Sequence, residues 1–146
     1  MQGMFSFCTS LIYIGKLINK GQARSIFASC NSLESVEEFQ FANRTSYYDT
    51  YRIFYNISGT VELDINFTCS TYGPGYFVGI NTNNTFNRPN LTRETVVKLF
   101  NCLSTFNGGS STLGSATYPL TFRSNVRAKL TDDDIAIATA KGWSIA

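Results

Sequence analysis

The amino-acid sequence predicts an α/β repeat fold, with short parallel strands on a concave side and irregular or short helical segments on a convex side. Three observations predict it. First, Phe5-x-x-Cys8-x-Ser10-Leu11-x-x-Ile14-x-x-Leu17 lies over Phe27-x-x-Cys30-x-Ser32-Leu33-x-x-Val36-x-x-Phe39, with every matched pair 22 residues apart. Second, Val61-x-Leu63-x-x-Asn66 and Leu120-x-Phe122-x-x-Asn125 carry the apolar-x-apolar-x-x-Asn pattern of a short strand leaving into a turn. Third, a strongly capped helix closes the chain. Self-similarity at a period of about 20–29 residues, with Leu or Ile at fixed offsets and Cys or Asn between them, marks a leucine-rich-repeat solenoid. A single such unit loses more backbone entropy on ordering than its few apolar positions return. Neighbouring units must therefore cover one another's faces.

The repeat predicts one domain, 1–146, in units of about 4–25, 26–52, 53–77, 78–116 and 117–146, the last ending in a capping helix. The second unit is longer than the first, and its extra residues, with Tyr47, Tyr48 and Tyr51, fall on the outer side. Such tyrosines either pack on that face or offer a binding surface. A third unit opens at Ile53-Phe54, and Glu62 and Asp64 alternate outward beside Leu63. Asn66 is expected to bond backbone groups in the turn after the strand. A weaker echo, Val78-x-Ile80-x-x-Asn83, follows the Gly73-Pro74-Gly75 turn.

After Pro89-Asn90-Leu91, Thr92 is the expected N-cap of a helix whose buried face is Val96, Leu99, Phe100 and Leu103. Asn107-Gly108-Gly109-Ser110-Ser111 reads as a turn or short linker. In the last unit Thr117 takes the first leucine position. Thr131-Asp132-Asp133-Asp134 starts a helix with three acids at the positive end of its dipole, and Gly142 closes it in the left-handed conformation. Trp143-x-Ile145 repeats Leu120-x-Phe122 at an offset of 23.

Composition narrows the possible functions. Hydrophobic residues at 43% and charged residues at 15% fit a folded domain, and a net charge of +2 with scattered basic residues gives no stripe to track phosphates. Nucleic acid is therefore not an expected partner. The absence of histidine removes the commonest general base and zinc ligand. No pair among Cys8, Cys30, Cys69 and Cys102 has the CxxC spacing of a metal or redox site. Cys8 and Cys30 read either as small buried side chains in an inner turn or as a disulfide between consecutive units. Met1-Gln2-Gly3 has no basic n-region and Met4 to Leu17 belongs to a repeat, so no signal peptide is expected in this chain. No stretch reaches the length of a membrane span.

The acidic pairs carry neither a catalytic nor a metal signature. Glu37-Glu38 and Glu62/Asp64 lie on regular units, whereas the two carboxylates of a glycosidase flank a cleft. The three aspartates 132–134 lack the spacing of a calcium loop. Five Asn-x-Ser/Thr sequons, at Asn43, Asn56, Asn66, Asn83 and Asn90, read as products of Asn-rich turns rather than of glycosylation. Neither an enzyme, nor a cofactor, nor a bound metal is expected.

The paired Phe-x-x-Cys-x-Ser-Leu-x-x-Ile/Val units, with the ending from Ala128 to Ala146, resemble the BspA-like leucine-rich-repeat proteins and related bacteriophage virion proteins. The resemblance implies a non-catalytic protein at a bacterial surface, outside the cell or on a virion, which binds proteins or glycans in adhesion or recognition. A structural assembly subunit of a phage particle or surface layer is the alternative. The outward strand positions Tyr13, Glu34, Ser35, Glu62 and Asp64 are the candidate binding residues. Met4, Phe5 and Phe7, on the open edge of the first unit, are the candidate assembly edge, to be covered by self-association or by a preceding repeat segment.

Overall fold

Ile14 and Leu17 in the first matched line, and Val36 and Phe39 in the second, turn inward three residues apart rather than the two of a regular strand. The computed structural model, which describes residues 2–18, 23–41, 52–69, 86–103 and 120–146, places these pairs side by side. Strands β1 (Tyr13–Ile18), β2 (Ser35–Phe41), β3 (Glu62–Cys69) and β4 (Asn90–Leu91) form one parallel sheet in the order β1-β2-β3-β4. Helices α1 (Arg93–Cys102), α2 (Ser124–Arg127) and α3 (Asp132–Thr139) follow, so the described residues have α/β character.

Along β1 and β2 the register holds the 22-residue offset, with Ile14 opposite Val36 and Leu17 opposite Phe39. β3 is a regular strand whose inward residues, Leu63, Ile65 and Phe67, alternate with outward ones. The mismatch between the two spacings is absorbed between Val36 and Phe39, where the pairing with β3 shifts. A bulge of this kind lets one strand carry an extra residue without turning its apolar side outward.

Ahead of each of the first three strands runs a coil of successive tight turns, and here the repeat is written in the backbone. Left-handed φ occurs at Gly3, Ser25 and Arg52, and again at Phe7, Ser29 and Asn56. Within each coil, alternate N–H groups close local turns, as from Cys8 to the Phe5 carbonyl, Cys30 to Phe27 and Ile57 to Phe54. The others bond across to the next coil: Gly3 to Arg24 (2.8 Å), Phe5 to Ile26 (3.1 Å), Phe7 to Ala28 (2.8 Å), Phe27 to Ile53 (3.0 Å) and Ser29 to Tyr55 (2.9 Å). Non-glycine residues in this conformation cost roughly 1–2 kcal/mol each. Cross-coil bonds of fixed phase hold them there.

A column of phenylalanines fills the interior behind the coils. Phe5 stacks on Phe27 (6.3 Å between centroids), Phe27 on Phe54 (5.7 Å), Phe54 meets Phe86 (5.9 Å), and Phe86 meets Phe122 (5.9 Å). Phe27 also presents an edge contact to Phe39, as Phe39 does to Phe67. Ring pairs at such separations add about 0.5–1.5 kcal/mol beyond the area they bury.

The expected helices form. Thr92 caps α1 by accepting from Thr95 N, and Val96, Leu99, Phe100 and Leu103 are buried. Thr131 and Asp134 make the capping box of α3, and Gly142 is left-handed, with Trp143 N reaching back to the Ala138 carbonyl. Trp143 is buried.

Several expectations need correction. Among the described residues the fourth strand is Asn90–Leu91, directly ahead of α1, and the expected Val78-x-Ile80-x-x-Asn83 echo lies outside the described residues along with Tyr47, Tyr48, Tyr51, Thr117 and the 107–111 turn. The chain turns helical at Arg93 and α1 packs along β3, with Thr95 Oγ1 accepting from Ile65 N (2.7 Å). Asn66 is not in a turn, since β3 continues through it to Cys69. Asn125 lies exposed on α2 and donates to Asn90 Oδ1 (2.8 Å). Leu120 pairs with Ile145, not Trp143, an offset of 25 instead of 23, and Trp143 is buried beyond the end of α3. Cys8 and Cys30 are both free thiols: Cys30 is buried between two neighbouring coils, while Cys8 is exposed on the first. Cys102, on α1, is held in a disulfide.

Truncating Phe27, which touches three other rings, is expected to cost about 3–5 kcal/mol, and truncating the half-buried Phe5 less than half as much. Urea unfolding of Phe27→Ala and Phe5→Ala measures both, and equal losses would show that the column does not bear weight as described.

Candidate functional site

The alternation that sends Leu63, Ile65 and Phe67 inward sends Glu62 and Asp64 outward, and the strand register then decides what they meet. Tyr13 lies opposite Ser35, and Ser35 opposite Asp64, so three of the five predicted residues form one row across β1, β2 and β3. Glu34, one residue ahead of β2, flanks the row with its backbone tied on both sides: its N–H donates to the Ile12 carbonyl and its carbonyl accepts from Asp64 N, each at 2.9 Å. Glu62 stands opposite Asn90 at the β3–β4 pairing. Tyr13, Glu34, Glu62 and Asp64 are exposed, and Ser35 is half-buried.

These side chains differ in how firmly they are held. Asp64 Oδ1 accepts from the hydroxyls of Thr92 (3.1 Å) and Thr95 (2.9 Å), which locks it to the start of α1. Lys129 Nζ binds Glu62 Oε1 and also reaches Asn90 Oδ1 (3.2 Å) and the Leu91 carbonyl (3.1 Å). Tyr13 Oη donates to Glu37 Oε2 (2.7 Å), and that hydrogen bond to a carboxylate raises the phenol's pKa above its usual value. Lys16 Nζ lies 3.4 Å from Glu38 Oε2, whose other oxygen accepts from Thr68 Oγ1 (3.1 Å).

The face thus carries Tyr13, Glu34, Glu37, Glu38, Glu62 and Asp64 against Lys16 and Lys129. It offers carboxylate and hydroxyl acceptors at strand spacing on a parallel sheet, suited to hydrogen bonding or ion pairing with a partner laid across the strands. Glu37, Glu38, Lys16 and Lys129 were not among the predicted residues. The 22-residue offset already places Lys16 opposite Glu38, so that pair was legible. Nothing local in the sequence tells that Lys129 folds back onto Glu62.

Of the predicted edge residues, Met4 and Phe7 are exposed, while Phe5 is half-buried against Phe27. Away from both surfaces, Arg93 grips Asp134 with two bonds (2.7 and 2.9 Å), tying the start of α1 to the start of α3. The Arg93 guanidinium and the Thr131 backbone N–H hold the Asp134 carboxyl down at about 2. Lys141 Nζ donates to the Phe100 and Asn101 carbonyls at the end of α1, and its burial lowers its pKa. Burial pushes the Cys30 thiol up to about 11, which keeps it protonated and unreactive at neutral pH.

Among the described residues, no group of three or more His, Cys, Asp or Glu side chains is placed to hold a metal ion, and no helix is long and apolar enough to cross a membrane. Compared with protein-family models, curated proteins and solved structures, the chain matches none.

A carboxyl whose pKa is depressed in the folded state stabilises the fold above its ordinary value and ceases to do so as pH falls through the folded value. The Asp134 contribution should therefore be complete above about pH 4 and be lost between about 4 and 2. Arg93→Gln removes the largest cause of the shift, so acid unfolding followed by circular dichroism should begin at higher pH. An unchanged acid transition would mean that the Arg93–Asp134 pair does not couple the two helices.

Proposed function

We propose that the chain is a leucine-rich-repeat solenoid that holds a partner rather than transforming one, recognising a protein or glycan at a bacterial surface or on a phage virion. The proposal extends the parallel sheet and the repeated coils to the repeat class that the 22-residue match suggested, and to the BspA-like and virion proteins the sequence resembles. One observation carries it: Tyr13, Ser35 and Asp64 stand in register across three consecutive strands, with Glu34 and Glu62 beside them. A parallel sheet delivers such a row at about 4.8 Å per strand, which is the way an elongated surface repeats a contact.

The chemistry supports binding over turnover. Asp64 and Glu62 are engaged by Thr92, Thr95 and Lys129 on an open face, so they act as fixed acceptors instead of an acid and base poised across a cleft. Tyr13 supplies a large ring with a polar tip, a combination suited to either a sugar face or a peptide. The assignment to an extracellular or virion setting rests on the resemblance, and the Cys102 disulfide is in keeping with an oxidising compartment.

Arrays of immobilised proteins and glycans, probed with the purified chain, test the reading. Saturable binding to one class is expected, weakened at least about tenfold by Tyr13→Ala with Glu34→Ala, the loss of a well-placed polar contact and an aromatic one, with the unfolding midpoint little changed. Binding insensitive to both substitutions would move the site off this face. Turnover of an arrayed glycan, abolished by Glu62→Gln, would replace recognition with catalysis.

A further inference from the structure

Five of the six large apolar side chains that stand exposed among the described residues lie between positions 4 and 18. Tyr13 belongs to the outward row. Of the other four, Met4, Phe7 and Ile12 precede β1 and Ile18 ends it, all more than half exposed and Phe7 74% exposed. β1 pairs on one side only among the described residues. In 2–18 the one charged residue is Lys16, already engaged by Glu38. An edge strand left to water is ordinarily defended by charge or proline, and this one is not.

The hydrogen-bond direction identifies what fits the edge. Between the tight turns at 3–7, 24–29 and 53–55, the bonds from Gly3, Phe5, Phe7, Phe27 and Ser29 all run from an N–H in the earlier coil to a carbonyl in the later one, and the direction reverses only where the strands begin, with Glu34 N–H donating to the Ile12 carbonyl. The carbonyls of Met4 and Ser6, 22 residues before those of Ile26 and Ala28, stand where the first coil would receive such bonds. No described backbone N–H reaches them. The first coil therefore faces outward with acceptors, and its own donors are spent on the second. Two such faces brought together across a two-fold axis would set carbonyls against carbonyls, which leaves them unpaired at a cost.

We infer that the free edge of the first coil is a docking surface for a further coil of this same repeat, entering in parallel. Its N–H donors would fall on the Met4 and Ser6 carbonyls and its aromatic ring on the outer face of Phe5, and a second copy of the chain related by a two-fold is not the occupant. The partner continues the interface already built between residues 3–7 and 24–28, with the same bonds and the same ring stacking. This surface is separate from the outward row, so either proposal can fail alone.

The probe is a duplicate of residues 4–25 joined directly ahead of residue 4, which preserves the 22-residue period. In hydrogen exchange, the amides of the duplicate that correspond to Phe5 and Phe7 should be slowed at least about a hundredfold relative to an unfolded segment. Binding of an apolar-surface dye should fall at least about fivefold below that of the original chain, and the unfolding midpoint should rise. A scrambled duplicate should do none of these. Unprotected amides with undiminished dye binding would overturn the inference. So would sedimentation of the original chain as a dimer that no longer binds the dye, because a second copy would then be covering the edge.

Discussion

The structure depends on one constraint: each coil must hand its free N–H groups to the carbonyls of the coil after it. Phe5 and Phe7 do so to Ile26 and Ala28, and Phe27 and Ser29 to Ile53 and Tyr55. These bonds fix the phase of consecutive coils, and the phase brings Phe5, Phe27 and Phe54 into one column. Phe7 and Ser29, which donate two of these bonds, are held in a left-handed conformation that neither residue favours alone. Strain of this sort persists only where surrounding structure over-determines it. Packing and hydrogen bonding therefore stand or fall together.

Beside β3 a helix takes over from the strands. β4 contributes only Asn90 and Leu91 before Thr92 starts α1, so the β3 backbone beyond Leu63 needs another partner. Thr95 Oγ1 supplies it by accepting from Ile65 N, and Asp64 holds the hydroxyls of Thr92 and Thr95 in place. Arg93, the next residue, clamps Asp134 and so carries α3 with it. A helix-capping threonine thus joins an outward carboxylate of the candidate site to the packing of the last helix. Asp64 is consequently part of the framework as well as of the surface, whereas Glu34 projects from the same row without such ties in the described network.

This division bears on recognition. A surface whose acceptors are already oriented loses little side-chain entropy when a partner arrives. The constant register of β1 on β2 sets Lys16 opposite Glu38, and the Tyr13 hydroxyl donates to Glu37. The edge of the first coil has different chemistry, with exposed Met4 and Phe7 and with Met4 and Ser6 carbonyls that no described backbone N–H reaches.

The sequence alone determined the pairing of the first two units, because a 22-residue offset repeated six times admits one register: Ile14 on Val36 and Leu17 on Phe39 follow from counting. It also determined α1 and α3, whose caps at Thr92 and Thr131 and buried stripe at Val96, Leu99 and Phe100 are local chemistry. The outward row was legible to the extent that Tyr13, Ser35 and Asp64 could be named, since alternation along a strand is local too. Only the tertiary structure decided that these three share one line, because the β2–β3 register shifts at a bulge that no nearby residue announces. It alone decided that Asn90–Leu91 is the fourth strand, that Ile145 rather than Trp143 meets Leu120, and that Lys129 reaches Glu62. Each of those outcomes is a competition among distant partners for the same backbone or carboxylate, and a chain read in order carries no measure of which partner arrives closest.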